Sequence, residues 1–181
     1  KVTLMSMIGE NKEYLNFIKK KLLKNIYLKL IYKKNSPTVI KKKYVEIITN
    51  NKVFGSYIIN DSPLEKSDEK KKNIFLDKNL KKYDLVIVND YGHGLITKKM
   101  IDALESKSKF LCVNAQINAG NKGYNLITKY NGASYYCLDI SEARMAVHDK
   151  YISNEEILDL LFSKTRGKNI TVTMGAQGSL S

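Results

Sequence analysis

The sequence predicts an α/β fold: a three-layer α/β/α sandwich on a mostly parallel sheet, with one β-hairpin projecting from it. Three observations carry this. Short apolar strands alternate with amphipathic helices along most of the chain. The run Leu85–Asn89 is almost continuously apolar, as in a strand buried on both faces. Polar residues also gather where the apolar runs stop, and open α/β sheets bind ligands just outside the carboxyl ends of their strands.

Taken in order, Val2–Ile8 reads as a strand closed by the turn Gly9-Glu10-Asn11. Tyr14, Leu15, Ile18, Leu22 and Leu23 fall at helical spacing with lysines opposite. Asn25–Ile31 is a second strand, completing a β-α-β unit. Ser36-Pro37 breaks the pattern. Thr38–Thr49 and Lys52–Ile59 then read as a hairpin about Asn50-Asn51, since Asn tolerates left-handed dihedrals. This hairpin, residues 38–59, is expected to be a lid, an oligomer interface, or both.

Ser62–Lys72 reads as a charged loop, followed by a short helix through Ile74, Phe75, Leu76 and Leu80. After the Leu85–Asn89 strand, Thr97 is placed to cap a helix starting near Lys98. Phe110–Val113 and Ser134–Leu138 are further strands, with a short helix expected at Tyr124–Lys129. Asp139 and Ser141 are good N-caps, and Ser153 with Glu156 forms a capping box. Ile170–Met174 is the last strand, running into Gly175-Ala176-Gln177-Gly178-Ser179. No internal repeat is evident.

A chain of 181 residues supports one sizeable core. No apolar run approaches a membrane span, and the amino-terminal residues carry no signal-peptide pattern. Net charge is +13. Only Arg144 and Arg166 are arginine, however, whereas phosphate and base readout favours the guanidinium fork. The scattered lysines therefore read as a solvated surface rather than a nucleic-acid interface. Their field would still attract a phosphorylated substrate. Cys112 and Cys137 lie in predicted core strands and fit neither a disulfide framework nor a zinc pattern, which points to a reducing, cytoplasmic compartment.

Four strand ends carry polar groups: Asn89-Asp90, Asn114–Gln116, Asp139 with Glu142, and Thr173–Gly175. In a parallel sheet they share one edge. Thr173-Met174-Gly175-Ala176-Gln177-Gly178-Ser179 fits an ordinary hairpin turn or a backbone cradle for a nucleotide; it lacks the tail of a P-loop. Asp139 and Glu142 share the first turn of a helix. There they serve the helix dipole, or Glu142 holds a water of a magnesium shell. Asp90 either accepts from a sugar hydroxyl or a proton, or caps the Gly92 turn. Lys41, Lys42 and Lys43 fit an anionic substrate or a solvated face. His93 and His148 have no partner at metal-ligand spacing.

Together these segments resemble the pfkB, or ribokinase-like, carbohydrate kinases. The segments that carry it are Val2–Gly9, Pro37–Val45, Asp90-Tyr91-Gly92-His93-Gly94-Leu95, Leu138–Glu142 and Val172–Ser179, in family order. Within the family the likeness is greatest to heptose-7-phosphate kinases fused to an adenylyltransferase, which serve ADP-heptose synthesis. The resemblance implies ATP-dependent phosphorylation of a sugar hydroxyl with magnesium, and a homodimer built through the hairpin lid. It places Thr173, Gly175, Gly178 and Asp139 near the nucleotide and Glu142 near the metal. Asp90, Gly92, Asn114, Lys41 and Lys43 are expected on the sugar or sugar-phosphate side.

There are departures. Asp139 stands where relatives have Asn, and Asn114-Ala115-Gln116 replaces the usual Asp-Pro-Lys or Asp-x-Asn. The catalytic Gly-Ala-Gly-Asp element is expected beyond Ser181, so the chain contains no catalytic base of its own. The expectation is an incomplete kinase domain over residues 1–181. Phosphoryl transfer rests on positioning and charge stabilisation, and this chain alone is expected not to catalyse it.

Overall fold

The computed structural model describes residues Lys1–Ser181. The chain divides into two units, Lys1–Ser62 with His93–Leu95, and Pro63–Gly92 with Ile96–Ser181.

The first unit opens with the expected β-α-β: β1 (Val2–Gly9), α1 (Leu15–Lys21) and β2 (Ile26–Lys33). The strands pair in parallel, from Val2 opposite Ile26 to Gly9 opposite Lys33. The last turn of α1 carries Lys19, Lys20 and Lys21, which suits the negative end of the helix dipole. β3 (Ile40–Val45) and β4 (Lys52–Ile58) then form the antiparallel hairpin.

The sequence placed the first hairpin strand through Thr49, but it ends at Val45. Glu46 is the reason. Its carboxylate accepts from Ile48 N (2.9 Å), Thr49 N (2.6 Å) and Thr49 Oγ1 (2.7 Å), curling residues 46–51 into a capped loop. The Thr49 hydroxyl, with the two N–H groups, holds the Glu46 carboxyl below its usual range. Asn50 takes the left-handed conformation as expected, at φ 56°.

The hairpin root is tied by buried polar groups. Lys33 Nζ donates to Asn60 O (2.7 Å) and Ser62 O (2.5 Å). Burial lowers the Lys33 pKa against the opposing pull of Asp61. Gly9 N donates to Thr38 Oγ1 at 3.0 Å, and a Cβ at Gly9 would run into the backbone of residues 36–38.

The second unit begins with α2 (Lys66–Asn79), twice the structure expected there. The charged stretch Lys66–Lys72 is helical rather than loop. Lysine and glutamate are good helix formers, and Asp68 and Glu69 occupy the favourable first turn. A single 3-10 turn at Leu80–Lys82 leads to β5 (Val86–Asp90). α3 (Lys98–Lys107), β6 (Leu111–Ala115), β7 (Tyr135–Asp139), α4 (Ile140–Val147), α5 (Asn154–Thr165), β8 (Ile170–Thr173) and β9 (Ser179–Leu180) complete it. The short helix expected at Tyr124–Lys129 is only a 3-10 turn, Ile127–Lys129.

Three caps stand where the sequence put them. Thr97 Oγ1 accepts from Met100 N at 3.4 Å, and Asp139 and Ser153 each open a capping box, with Glu142 and Glu156.

Strand order is β5-β6-β7-β8-β9, the first four parallel and β9 antiparallel. One face of this sheet is buried: Val88, Leu111, Val113, Tyr136, Leu138, Ile170 and Val172. They form the core with Met100, Ile101 and Leu104 of α3, Ala143, Ala146 and Val147 of α4, and Ile157 and Leu161 of α5. The opposite face is more open. Ile87 is exposed, and Cys112, Asn114, Tyr135, Cys137 and Thr171 are half-buried. The two cysteines are therefore free thiols on a half-covered face rather than core residues. What burial Cys112 has pushes its thiol pKa up.

Candidate functional site

The parallel register brings all four polar strand ends of the second unit to one edge. Asn89 lies opposite Asn114, Asp90 opposite Ala115, and Asp139 opposite Thr173. The edge was legible in the sequence. What the side chains do along it was only partly so.

At the end of β5, Asp90 is 4% exposed and both its oxygens are used internally. Oδ1 accepts from Gly92 N at 2.9 Å. Oδ2 accepts from Tyr130 Oη at 2.8 Å and pairs with Lys129 Nζ at 2.5 Å. Burial first, then the neighbouring Asp90 carboxylate, pushes the Tyr130 pKa far above its ordinary value, so Tyr130 is a fixed hydrogen-bond donor. Of the two roles open to Asp90, the geometry matches the cap of the Gly92 turn.

Three asparagines hold the same turn from the other side. Asn118 Nδ2 and Asn121 Nδ2 both donate to Tyr91 O, at 3.0 and 2.9 Å. Asn125 Nδ2 donates to Asp90 O and Gln116 O, both at 2.9 Å. Gly92 sits at φ +66°, and a Cβ there would overlap Asn121 and Asn125. The backbone at Asp90–Gly92 is thus fixed by a buried polar network.

None of Asn118, Asn121, Asn125, Lys129 and Tyr130 was picked out from the sequence. The one available signal was the cluster of three asparagines spaced three and four apart.

At the end of β6, Asn114 Nδ2 donates to Cys137 O at 2.8 Å, bracing β6 against β7. At the end of β7, Asp139 Oδ1 accepts from Ser141 N (2.8 Å) and Glu142 Oε2 from Asp139 N (3.1 Å). Glu142 Oε1 accepts from Ile117 N at 3.0 Å, which ties the β6 loop to the start of α4. One carboxylate with both oxygens on backbone N–H groups, beside a second that caps a helix, is not a magnesium site by itself. No group of three His, Cys, Asp or Glu side chains is arranged to hold a metal ion.

At the end of β8 the arrangement differs. Thr173 Oγ1 donates to Leu138 O at 3.4 Å, and Met174 N donates to Gly178 O at 2.8 Å, closing a tight loop. Gly175 (φ +58°) and Gly178 (φ +90°) take positive φ, which at Gly178 requires glycine, and nothing lies within 4 Å of where either Cβ would stand. A bare, exposed backbone turn at a strand's carboxyl end fits the close approach of a flat or phosphorylated ligand. Of the two sequence readings of this segment, hairpin turn and nucleotide cradle, the structure shows the turn.

Lys41 and Lys43 belong to the first unit, where they are exposed on the hairpin.

No family model matches the chain. Among curated proteins it is similar to the bifunctional protein HldE of Wolinella succinogenes, 27% identical over 117 residues, or 65% of this chain and 24% of that one. Among solved structures it is similar to ribokinase from Giardia lamblia, with a TM-score of 0.69 at 15% identity over 98% of this chain and 55% of that one. Phosphofructokinase-2 from Escherichia coli, solved in complex with fructose-6-phosphate, superposes at 0.66 with 10% identity over 98% and 58%. A Burkholderia thailandensis nucleoside kinase in complex with inosine follows at 0.58, with 15% identity over 97% and 54%.

The fold is that of the pfkB/ribokinase-like kinases.

The chain spans a little over half the length of these solved structures and about a quarter of HldE. The ribokinase-like fold accounts for the parallel strands and the hairpin expected from the sequence. No helix is long and apolar enough to cross a membrane.

Proposed function

We propose that this chain is part of an ATP-dependent sugar kinase, acting in the cytoplasm, that transfers the γ-phosphate to a hydroxyl of a sugar phosphate. In the finer reading the acceptor is a heptose phosphate on the route to ADP-heptose and lipopolysaccharide precursors, the enzyme is a homodimer through its hairpin, and an adenylyltransferase domain is fused to it. The observation that carries the proposal is the open Thr173–Gly178 turn at the carboxyl end of β8, on a ribokinase-like fold. The similarity to HldE supports the heptose branch.

In this reading the nucleotide supplies the phosphoryl group. The chain's residues bind and orient. Gly175 and Gly178 let the main chain approach the nucleotide, and Thr173 offers a hydroxyl there. The Asp90–Lys129–Asn125 network holds the Tyr91–Gly92 backbone as a fixed wall on the sugar side, with Asp90 and Gly92 acting through that backbone and Asn114 bracing the next strand. No Gly-Ala-Gly-Asp sequence occurs among the 181 residues. Turnover is therefore assigned to the full gene product and not to this chain alone.

The test is calorimetry of ATP binding, with a coupled assay of ADP release from the full gene product on heptose 7-phosphate. Gly178→Val is expected to abolish ATP binding and, because φ +90° strains any residue but glycine, to lower thermal stability as well, so circular dichroism must first show that the variant is folded. ATP binding that ignores this substitution would defeat the assignment of the turn.

A second reading has its own observation. Glu142 spends both its oxygens, and Asp139 its Oδ1, on backbone N–H groups, as in an inert module kept for nucleotide binding or dimerisation. ATP binding without phosphotransfer by the full gene product would favour it.

A further inference from the structure

Asn131-Gly132 is the one Asn-Gly pair in the chain. It is exposed, between the 3-10 turn Ile127–Lys129 and β7. Such a pair is chemically labile, because glycine has no side chain to keep its nitrogen from the asparagine amide and its backbone turns freely toward it. In the reaction the Gly132 nitrogen attacks Asn131 Cγ. The N–Cγ bond forms, the Cγ–Nδ2 bond breaks, and the proton from Gly132 N departs with the amide as ammonia. Water then opens the cyclic imide at either carbonyl, leaving aspartate or isoaspartate at position 131. No oxidant or reductant is involved.

In the folded chain the reacting nitrogen is held. Glu105 Oε1 accepts from Gly132 N at 2.9 Å and from Asn131 N at 2.5 Å. The carboxylate arm lies flat on the glycine: a Cβ at Gly132 would stand 3.3 Å from Glu105 Cβ and 3.5 Å from its Cγ and Cδ. Glu105 belongs to the last turn of α3, the negative end of the helix dipole, where a carboxylate is disfavoured. The two N–H groups offset that cost. A carboxylate is far too weak a base to remove an amide proton. Its charge does the opposite, keeping the proton on nitrogen and raising the energy of the amide anion that attack requires.

We propose that Asn131 is a site of spontaneous deamidation and that Glu105 is the latch that keeps the reaction slow. The site is joined to the Asp90 network. Tyr130, its neighbour in the chain, donates from Oη to Asp90 Oδ2 at 2.8 Å, and its carbonyl accepts from Tyr136 Oη at 3.1 Å. Isoaspartate adds a carbon to the main chain between residues 131 and 132, so the two N–H groups no longer converge on one oxygen. The new carboxylate also brings a second negative charge beside Glu105. Modification therefore loosens the turn that seats Tyr130, and the backbone at Asp90–Gly92 with it. This inference does not depend on the kinase reading.

The experiment is peptide mapping by mass spectrometry of the folded protein aged at neutral pH, with isoaspartate counted by enzymatic methylation. Wild type is expected to gain acid at residue 131 slowly. Glu105→Ala should speed this by about ten- to a hundredfold, the factor that corresponds to losing a hydrogen bond to a charged group. Glu105→Gln keeps an acceptor but loses the charge; its rate should fall between the two, and it carries the comparison if the alanine variant does not fold. A free peptide of residues 126–136 should react at least as fast as Glu105→Ala.

Arg144→Lys lowers stability away from the latch and should stay near the wild-type rate. Equal acceleration by Arg144→Lys would mean that deamidation follows global unfolding, and would overturn the proposal. A wild-type rate matching the free peptide would do the same. An unchanged or slower rate in both Glu105 variants would also overturn it, the slower one marking Glu105 as a base rather than a latch. Urea unfolding of aged and fresh Glu105→Gln reads the connection to Tyr130: the aged protein should unfold at lower urea, and identical midpoints would sever that connection.

Discussion

Asp90→Asn separates a structural carboxylate from a sugar ligand more cleanly than any other substitution. Asp90 is 4% exposed and its Oδ2 pairs with Lys129, whose side chain is 29% exposed. Removing one partner of a buried pair leaves an uncompensated charge, which typically costs about 3–5 kcal/mol. Lys129 can reach some water, and Asn125 Oδ1 remains at 2.5 Å to share its charge, so the lower end, about 3 kcal/mol, is expected. Tyr130 also loses a charged acceptor at 2.8 Å, a bond worth about 1.5–3 kcal/mol on its own, although the two losses overlap because they share one carboxylate. Against a total stability of about 5–15 kcal/mol for such a domain, this is a large effect.

Urea denaturation followed by circular dichroism measures it directly. The double variant Asp90→Asn with Lys129→Met should recover much of the loss, because no buried ammonium is then left unpaired. A loss below about 1 kcal/mol for Asp90→Asn, or no recovery in the double variant, would refute the reasoning and return Asp90 to the list of substrate ligands.

Further outcomes follow from neighbouring features. Gly92→Ala combines a left-handed backbone, about 1–2 kcal/mol for a non-glycine residue, with overlap against Asn121 and Asn125 that adds about 1–3 kcal/mol; the midpoint of urea unfolding should fall sharply. Arg144 donates to Lys150 O (2.8 Å), Ile152 O (2.9 Å) and Asn154 Oδ1 (2.9 Å), so Arg144→Lys, which cannot fork across three acceptors, should lower stability by about 1–2 kcal/mol, read as a drop in melting temperature.

Tyr136 is fully buried, and burial pushes its pKa from 10.0 up to about 12. A group whose pKa is raised on folding contributes stability below its unfolded value and loses it as pH climbs through the folded one. Stability should therefore decline between pH 10 and about pH 12, by about 1–2 kcal/mol for this residue after solvent screening. Tyr136→Phe should show a shallower decline in urea melts over that range.

Periodicity and capping were the most legible parts of this molecule in its sequence. The strand run at 85–89, the caps at Thr97, Asp139 and Ser153, and the convergence of polar strand ends all depend on near neighbours, whose spacing the chain displays. The start of α2 was hidden because a lysine- and glutamate-rich stretch has the composition of a solvated loop and the propensity of a helix at once. The end of β3 was hidden because Glu46 folds back on Thr49, a contact that overrides the β-branched residues Ile47 and Ile48. The Asp90 network was hidden for a different reason. Lys129 and Tyr130 lie about forty positions from Asp90, and nothing in the local pattern says that a lysine and a tyrosine will be buried against a strand end.

The capping box at Asp139 separates what the fold needs from what the local charge is. Aspartate and asparagine cap helices about equally well, so exchanging Asp139 for Asn would leave the start of α4 intact. The helix is indifferent to the choice; any anion brought to the strand ends would not be, since one residue carries a negative charge and the other does not. Folding therefore exerts little hold on the very atom that sets the local charge, and the charge at this position can be changed while the scaffold stays as it is.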